Sequence, residues 1–378
     1  MRPLVSDRIA IFVPSLRGGG AERVMVTLAN GFAQRGYAVD LVLAKAEGPY
    51  LGDVAENVRV VDLGASRVAT SLPGLVRYLR RERPVAMLSA LSHANVIAVL
   101  ARRLAGVPVR LVVSERNNFS LSKANARSWR GRMMGHFMRW SYPLAEGVVA
   151  VSRGVADDLA RSVKLPRDAI DVVYNPVMTN DLIAMSRSEP EHPWFAEGQP
   201  PVVLGVGRFV FQKDFSTLVR AFARVRANRP VRLLILGEGE LRGELESLVR
   251  SLDIEKDVAL PGFRDNPFPY MRAASVFVLS SAWEGLPNAL IQAMACGTPV
   301  VSTDCPSGPA EILENGRWGR LVPVGDEVAL AEAIAATLDE AKHPDVAARA
   351  ADFSVDRAVE GYLRVMLPGE YQYEVNKR

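Results

Sequence analysis

The chain alternates between short apolar runs and longer segments in which apolar residues recur at helical spacing. The first half contains apolar runs of strand length at 9–13, 38–43, 58–62, 85–89, 110–114, 147–151 and 170–173. A second series follows at 202–206, 231–236, 258–260, 276–279 and 298–302. Apolar runs of this length are typical of buried strands. Because helical segments lie between many of them, the pattern predicts parallel sheets covered on both faces.

A proline-rich stretch separates the two series. It carries Pro190, Pro193, Gly198, Pro200 and Pro201, which is a linker composition. A chain of 378 residues is also too long for one ordinary core. We therefore predict two domains, a linker between them and a final helix that packs back towards the first domain, with bounds at 1–178, 179–200, 201–354 and 355–378.

The stretch from 280 to 305 carries the most specific chemistry. The strand at 276–279 runs into a loop with Glu284, and Pro287 is predicted as the first residue of a helix that Gly297 ends. A carboxylate at the carboxyl end of a parallel strand stands where open sheets bind ligands. Asn288 and Gln292 lie one turn apart and share a face, so they can serve a ligand rich in hydroxyls or simply form a solvated helix face.

Two further loops have residues suited to anionic groups. Gly18-Gly19-Gly20 links the first strand to a helix, as in phosphate-cradling units, although Arg23 stands where a dinucleotide fingerprint needs glycine. A loop shaped only for a tight turn is the alternative. Arg208 and Lys213 precede a helix in the second half, where two cations and a helix N-terminus favour negative charge. An ordinary surface pair is the alternative there.

The run E-G-L-P-N-A-L-I-Q-A-M-A-C-G-T-P-V-V, beginning at Glu284, resembles the signature of the retaining glycosyltransferases of family 4. The resemblance implies the α/β GT-B fold, with two Rossmann-like domains whose parallel sheets face across an interdomain cleft. The first domain is then expected to bind the acceptor and the second a nucleotide-sugar. Retention at the anomeric carbon, with no metal and no cofactor beyond the donor, follows from the same resemblance. The sequence has no D-x-D motif for a metal-dependent alternative.

The resemblance also assigns roles to residues. Glu284 is expected to contact the donor sugar, while Arg208 and Lys213 clamp the diphosphate. Gln292 stands where the family has a second Glu that holds the ribose; glutamine can hydrogen-bond a diol but lacks the carboxylate charge. Further substrate contacts are expected at Gly19, Gly20, Glu22, Asn117, Gly237, Phe263, Gly285, Leu286 and Asn288.

The loop after the strand at 110–114 departs from the family pattern. Many relatives have a histidine near this point, whereas this chain has Glu115, Arg116 and Asn117. Glu115 is a candidate catalytic residue that accepts a proton. Alternatively, it pairs with Arg116 and takes no part in the chemistry.

Charge is distributed unevenly between the halves. Residues 1–180 contain 25 Lys/Arg and 14 Asp/Glu, so the basic excess lies in the first half. The segment 121–142 interleaves basic and bulky apolar residues, which favours either a helix in a membrane interface or an amphipathic helix packed on the sheet. No nucleic-acid-binding motif is present. Cys296 and Cys305 suit a reducing cytoplasm. Together with the basic first half, this predicts a cytoplasmic protein in peripheral contact with the anionic inner face of the plasma membrane.

These observations together predict an enzyme of class EC 2.4, a hexosyl or N-acetylhexosaminyl transferase. Its donor is a nucleotide-sugar, with UDP favoured by family frequency, and its acceptor is a glycan or a polyprenyl-diphosphate-linked sugar. A bacterial lipopolysaccharide or other surface polysaccharide is the expected product. Two alternatives remain: a non-catalytic nucleotide-sugar-binding subunit, which Gln292 supports, and a GT-B nucleotide-sugar epimerase.

Overall fold

The computed structural model describes residues 8–17, 19–124 and 129–369. The chain divides into two compact units, one formed by Met1–Pro176 with Val355–Arg378 and the other by Val177–Ser354. The first crossover between them comes two residues earlier than the domain end predicted at 178.

The first unit contains a parallel sheet with the strand order β3-β2-β1-β4-β5-β6-β7. Its central strands are buried, as expected for a sheet covered by helices, whereas the edge strand β3 is largely exposed. The elements are β1 Arg8–Val13, α1 Gly20–Gln34, β2 Ala38–Leu43, β3 Val58–Asp62, α2 Leu72–Glu82, β4 Ala86–Ala90, α3 Ser92–Ala105, β5 Arg110–Glu115, α4 Phe119–Ala124, α5 Trp129–Ser141, β6 Gly147–Ala150, α6 Arg153–Val163 and β7 Ile170–Val172.

The second unit contains a parallel sheet with the order β10-β9-β8-β11-β12-β13. Its elements are α7 Asn180–Met185, β8 Val202–Val206, α8 Phe215–Arg226, β9 Arg232–Leu236, α9 Arg242–Ser251, β10 Val258–Gly262, α10 Phe268–Ala273, β11 Val276–Leu279, α11 Asn288–Ala295, β12 Val300–Thr303, α12 Pro309–Ile312, β13 Arg320–Val322, α13 Glu327–Asp339 and α14 Val346–Ala350. In both units the second and third strands lie on one side of the first strand, and the fourth strand lies on its other side. The strand order therefore reverses beside β1 and beside β8, and such reversals place ligands at the carboxyl ends of the strands.

The last helix, α15 Val355–Met366, belongs to the core of the first unit. Its buried residues Ala358, Val359, Tyr362, Leu363 and Met366 form one helical face. A Cβ added at Gly31 of α1 would meet the side chain of Val359 at 2.5 Å, so the two helices touch closely.

The segment 179–200 is not an independent linker. It begins with α7, which Thr179 caps and in which Leu182 is buried, and the ring of Phe195 packs edge-on against that of Tyr270 at 5.9 Å. The proline-rich composition indicated a spacer, but these apolar residues attach the segment to the second unit.

One predicted helix is described only in part, and another begins one residue later than predicted. Of the segment 121–142, the structure describes the end of α4 and all of α5 as helix, while residues 125–128, which include Arg127, lie outside the described residues. Pro287 caps α11 with extended backbone instead of occupying its first turn, while Gly297 follows the helix with a φ of 81°, as predicted. None of the described helices has the length and apolarity needed to cross a bilayer.

Candidate active site

A lysine and a glutamate meet at the carboxyl edge of the second sheet. Lys213 follows β8 and Glu284 follows β11, and these strands are neighbours. The Lys213 ammonium lies 2.5 Å from Glu284 Oε1, which also accepts a 2.6 Å hydrogen bond from Ser281 Oγ. Glu284 is only 6% exposed. The strand order therefore joins two residues, 71 positions apart, in one partly buried charged pair.

Hydrogen bonds fasten the two loops to each other. Ser280 Oγ donates to the carbonyl oxygen of Lys213 over 2.8 Å, and the Ala282 amide donates to that of Gln212 over 2.8 Å. The Gln212 side-chain amide donates in turn to the carbonyl oxygen of Trp283 over 2.9 Å. Because the backbone on both sides is fixed, the Lys213–Glu284 pair is held in place before any ligand binds.

Arg208 lies on the same loop as Lys213 but makes no comparable contact. Its side chain is exposed and has no ion pair among the described residues. An uncommitted guanidinium keeps its donors available for an anionic ligand. The structure thus gives the two cations different surroundings, one paired and one open.

The loops after β9 and β10 continue this edge. Gly237, after β9, has a φ of 148°, and a Cβ there would collide with the carbonyl oxygen of Gly207, after β8. Only glycine therefore lets the loop after β9 approach the loop after β8 this closely. Phe263 follows β10 and is 63% exposed. It is therefore not a core residue, and its ring is accessible to a ligand.

The remaining predicted contacts of the second unit surround the start of α11. Gly285 and Leu286 are buried, and Asn288 and Gln292 are half-buried on one helix face. The Gln292 side chain has no hydrogen-bond partner among the described residues. Its amide is thus available to a ligand with hydroxyl groups.

The glycine loop of the first unit opens α1, with Gly19 as its cap and Gly20 as its first residue, whereas Gly18 lies outside the described residues. The Glu22 carboxylate folds back over Gly19, where a Cβ would collide with it. A negative group already occupies this helix start, which makes it a poorer phosphate cradle than the glycines alone suggest.

Glu115 is enclosed at the end of β5. Its carboxyl accepts hydrogen bonds from Ser92 Oγ, Tyr142 Oη and the Arg116 amide, at 3.0, 2.9 and 3.2 Å respectively. Burial raises the pKa of this carboxyl above its usual range. At 4% exposure, it has little access to a substrate, and its catalytic role stays a prediction.

The predicted pairing of Glu115 with the Arg116 side chain is not formed. The guanidinium instead donates to Tyr362 Oη at 3.0 Å and to Asn175 Oδ1 at 2.7 Å. These partners come from α15 and from the end of the first crossover, which no local pattern indicates. Asn117 uses its own Oδ1 to accept from the Asn118 amide at 2.9 Å, a local turn.

Comparison with known proteins decides the family. A family model described as "Glycosyltransferase Family 4" matches residues 18–181, and one described as "Glycosyl transferases group 1" matches 200–340. A transferase of Campylobacter jejuni, N-acetylgalactosamine-N,N'-diacetylbacillosaminyl-diphospho-undecaprenol 4-alpha-N-acetylgalactosaminyltransferase, is 30% identical over 349 residues, covering 89% of this chain and 91% of the relative. The chain belongs to glycosyltransferase family 4. It is accordingly a transferase of class EC 2.4.

Other similar proteins share this likeness over most of the chain. The lipopolysaccharide core biosynthesis glycosyltransferase LpsE of Rhizobium meliloti is 29% identical and covers 84% of this chain and 85% of its own. The lipopolysaccharide outer core galactosyltransferase WaaB superposes with a TM-score of 0.72 at 20% identity, and Anabaena HepE in complex with UDP-glucose with 0.75 at 20%. Each covers 95% of this chain and 98% of its own. The glycosyltransferase therefore has the predicted GT-B fold.

Sequence reasoning missed several residues around the charged pair. Ser281, Gln212 and Trp283 fix the loops, and Phe211 stands exposed beside them. Phe211 ends the apolar run Phe209-Val210-Phe211, and the sequence alone does not show that Phe209 is buried while Phe211 is exposed. Over residues 8–17, 19–124 and 129–369, no group of three or more His, Cys, Asp or Glu is placed to hold a metal ion.

Proposed function

We propose that this glycosyltransferase moves a sugar from a UDP-sugar to a lipid-linked acceptor, with retention at the anomeric carbon, in the synthesis of a bacterial surface polysaccharide. The observation that carries the proposal is the meeting of Lys213 and Glu284 at the strand-order reversal of the second sheet. The relatives support the acceptor class, since one is named for a diphospho-undecaprenol substrate and others for lipopolysaccharide synthesis. HepE, of similar fold, was solved with UDP-glucose.

The chemistry requires charge stabilisation at the leaving group. As the bond from the anomeric carbon to the diphosphate breaks, its electron pair stays on the diphosphate oxygen. Arg208 and Lys213 stabilise that charge as fixed cations, so this step needs no metal. Glu284 orients the sugar through its hydroxyls.

Retention follows if the acceptor attacks from the face that the diphosphate leaves. The acceptor oxygen forms the new bond to the anomeric carbon, and its proton passes to a diphosphate oxygen. This route needs no protein nucleophile. Cys305, the thiol next to the charged pair, is a poor candidate for one because burial raises its pKa to about 12.

The lipid-linked acceptor suggests where the protein works. On α5, Met133, Phe137 and Trp140 recur at helical spacing and are 41%, 50% and 55% exposed. The exposed Arg139 lies beside them. Exposed apolar groups with basic neighbours suit the interface of an anionic membrane, so we propose peripheral contact at the cytoplasmic face.

A transfer assay tests the function. The purified protein is incubated with UDP-glucose, UDP-galactose, UDP-GlcNAc, UDP-GalNAc or GDP-mannose and a polyprenyl-diphosphate-linked monosaccharide, with and without EDTA. Mass spectrometry should detect an acceptor one sugar heavier, and NMR should find the donor's anomeric configuration in it. Conversion of donor without acceptor would indicate an epimerase, and binding without product a non-catalytic subunit.

Vesicle sedimentation tests the membrane contact. Replacing Phe137 and Trp140 with serine should reduce binding to vesicles containing anionic phospholipid by about tenfold. Each substitution removes apolar side-chain area that the bilayer would otherwise bury. Leu104, which is 56% exposed on α3, provides a matched Leu104→Ser control that should leave binding unchanged. Equal effects of all three substitutions would contradict a specific role for α5.

A further inference from the structure

The most exposed large apolar side chain of the described residues lies beside the charged pair. Phe211 is 64% exposed and stands in the single turn Phe211–Lys213 that presents Lys213. The neighbouring aromatic residues behave differently: Phe209 is fully buried and packs edge-on against Phe215, with ring centroids 5.6 Å apart. The core of the second unit is thus complete without Phe211.

Beneath Phe211 lies a second aromatic ring with an unused donor. Trp283 precedes Glu284, is 8% exposed, and has its ring centroid 6.0 Å from that of Phe211 at an angle of 48°. Its indole Nε1 is buried and has no hydrogen-bond partner among the described residues. Buried Trp N–H groups ordinarily find a partner, so this one calls for an explanation.

Hydrogen bonds fix the backbone that carries both rings, but the two side chains differ in their exposure to solvent. Gln212 ties the Phe211 turn to Trp283 through the hydrogen bonds described above, so the rings stay adjacent. Trp283 is enclosed, whereas most of the Phe211 ring faces solvent and can turn. A ligand packed against the exposed Phe211 ring would therefore lie beside the indole, whose N–H donor has no partner among the described residues.

The pyranose ring of a sugar complements both the exposed Phe211 ring and the indole N–H of Trp283, which pairs with no described residue. One face of a pyranose presents C–H groups, which pack on an aromatic ring, and its edge presents hydroxyls, which accept from an N–H donor. We propose that Phe211 and Trp283 form an aromatic shelf that binds the pyranose ring of a sugar substrate next to Lys213 and Glu284. The shelf deepens the proposed function, on which it rests, by naming two residues that recognise the sugar rather than the nucleotide.

Binding measurements separate the sugar from the nucleotide. Isothermal titration compares UDP with the UDP-sugar that the wild-type protein binds best, using wild type, Phe211→Ala, Phe211→Leu and Phe211→Tyr. If the shelf holds the donor sugar, loss of the ring should weaken UDP-sugar binding by about fivefold to tenfold, the equivalent of about 1 kcal/mol. UDP binding should stay within twofold, and the Tyr variant should bind like wild type.

A second arm distinguishes the source of the pyranose. The KM for the lipid-linked acceptor rises in Phe211→Ala if the shelf holds the acceptor sugar, and the UDP-sugar affinity falls if it holds the donor sugar. Trp283→Phe keeps the ring without the N–H and should weaken the same ligand. Val328→Ala, at a 45% exposed apolar residue of α13, is the control and should change neither.

The outcomes separate this inference from the proposed function. Suppose that wild type transfers sugar, but that Phe211→Ala and Phe211→Leu keep the UDP-sugar dissociation constant and the acceptor KM within twofold. The shelf is then refuted and the transferase stands. Equal weakening of UDP and UDP-sugar also refutes it, because the ring then serves the nucleotide. If wild type neither binds nor transfers any sugar, the proposed function fails and the shelf with it.

Discussion

Removing either member of the Lys213–Glu284 pair should affect stability and turnover in separable ways. Lys213→Met keeps the apolar stem and removes the charge, while Glu284→Gln keeps an oxygen that accepts from Ser281. The two side chains are 18% and 7% exposed, so each single change leaves a charge with little solvent. Breaking a buried pair costs about 3–5 kcal/mol, and the partial exposure of Lys213 reduces our expectation to about 2–3 kcal/mol.

The double variant distinguishes coupling from simple damage. Because it leaves no isolated charge, its loss of unfolding free energy should be smaller than the sum of the single losses by about 1–2 kcal/mol. Turnover should behave differently: each single change should lower kcat by at least about 100-fold, and the double change should not restore it. Urea unfolding and the transfer assay measure the two quantities on the same four proteins.

An exposed ion pair of the second unit provides the control. Arg229 and Asp339 also lie 2.5 Å apart, but their side chains are 30% and 67% exposed. Arg229→Met should therefore cost less than about 1 kcal/mol and leave turnover unchanged. Strict additivity of the Lys213 and Glu284 losses would refute the coupling. Near-normal kcat in folded single variants would refute their role in catalysis.

Three further substitutions test single contacts. Arg208→Ala removes an exposed side chain without an ion pair, so unfolding should change by less than about 0.5 kcal/mol while kcat falls about 100-fold; an unchanged kcat would exclude the clamp. Gln292→Glu should lower the UDP dissociation constant several-fold in titration calorimetry by about 1 kcal/mol of charge-assisted bonding, and weaker binding would contradict the ribose contact. Glu115→Gln should flatten the dependence of Tm on pH. The carboxyl loses its proton near pH 4.5 in the unfolded chain and at a higher pH in the folded protein, where its pKa is raised. Wild-type stability therefore falls as the pH rises through this interval. A slope unchanged in the variant would refute this.

The fold was predictable wherever a strand or helix forms a continuous apolar pattern. The segments 38–43, 58–62, 202–206 and 276–279 match β2, β3, β8 and β11, and the predicted final helix matches α15. Polar or turn residues lie within two positions of each end, so the limits of these elements are set locally. The strand β13 was missed because it has three residues and begins with Arg320, too short for any periodicity.

The positions of the candidate site's residues at strand ends were predictable, but their contacts were not. Glu284 and Lys213 follow strand ends, which the apolar pattern locates. Their 2.5 Å approach depends on β8 and β11 being neighbours, and strand order is a property of the whole sheet. The partners of Arg116 lie 59 and 246 positions away, so its separation from the Glu115 carboxyl could not be inferred from adjacency in the chain.

The charged pair also changes what the clamp must do. Lys213 is not a free cation waiting for a diphosphate, because its ammonium already contacts Glu284. A donor that brings its phosphate to Lys213 and its sugar to Glu284 must compete with this contact, so part of the binding free energy replaces an existing interaction. Arg208 has no such contact among the described residues and can attract the diphosphate first. In the proposed mechanism, Arg208 therefore binds the diphosphate first and keeps stabilising its charge as the bond to the anomeric carbon breaks, whereas Lys213 contributes most at bond cleavage, when the phosphate charge exceeds what Glu284 offers.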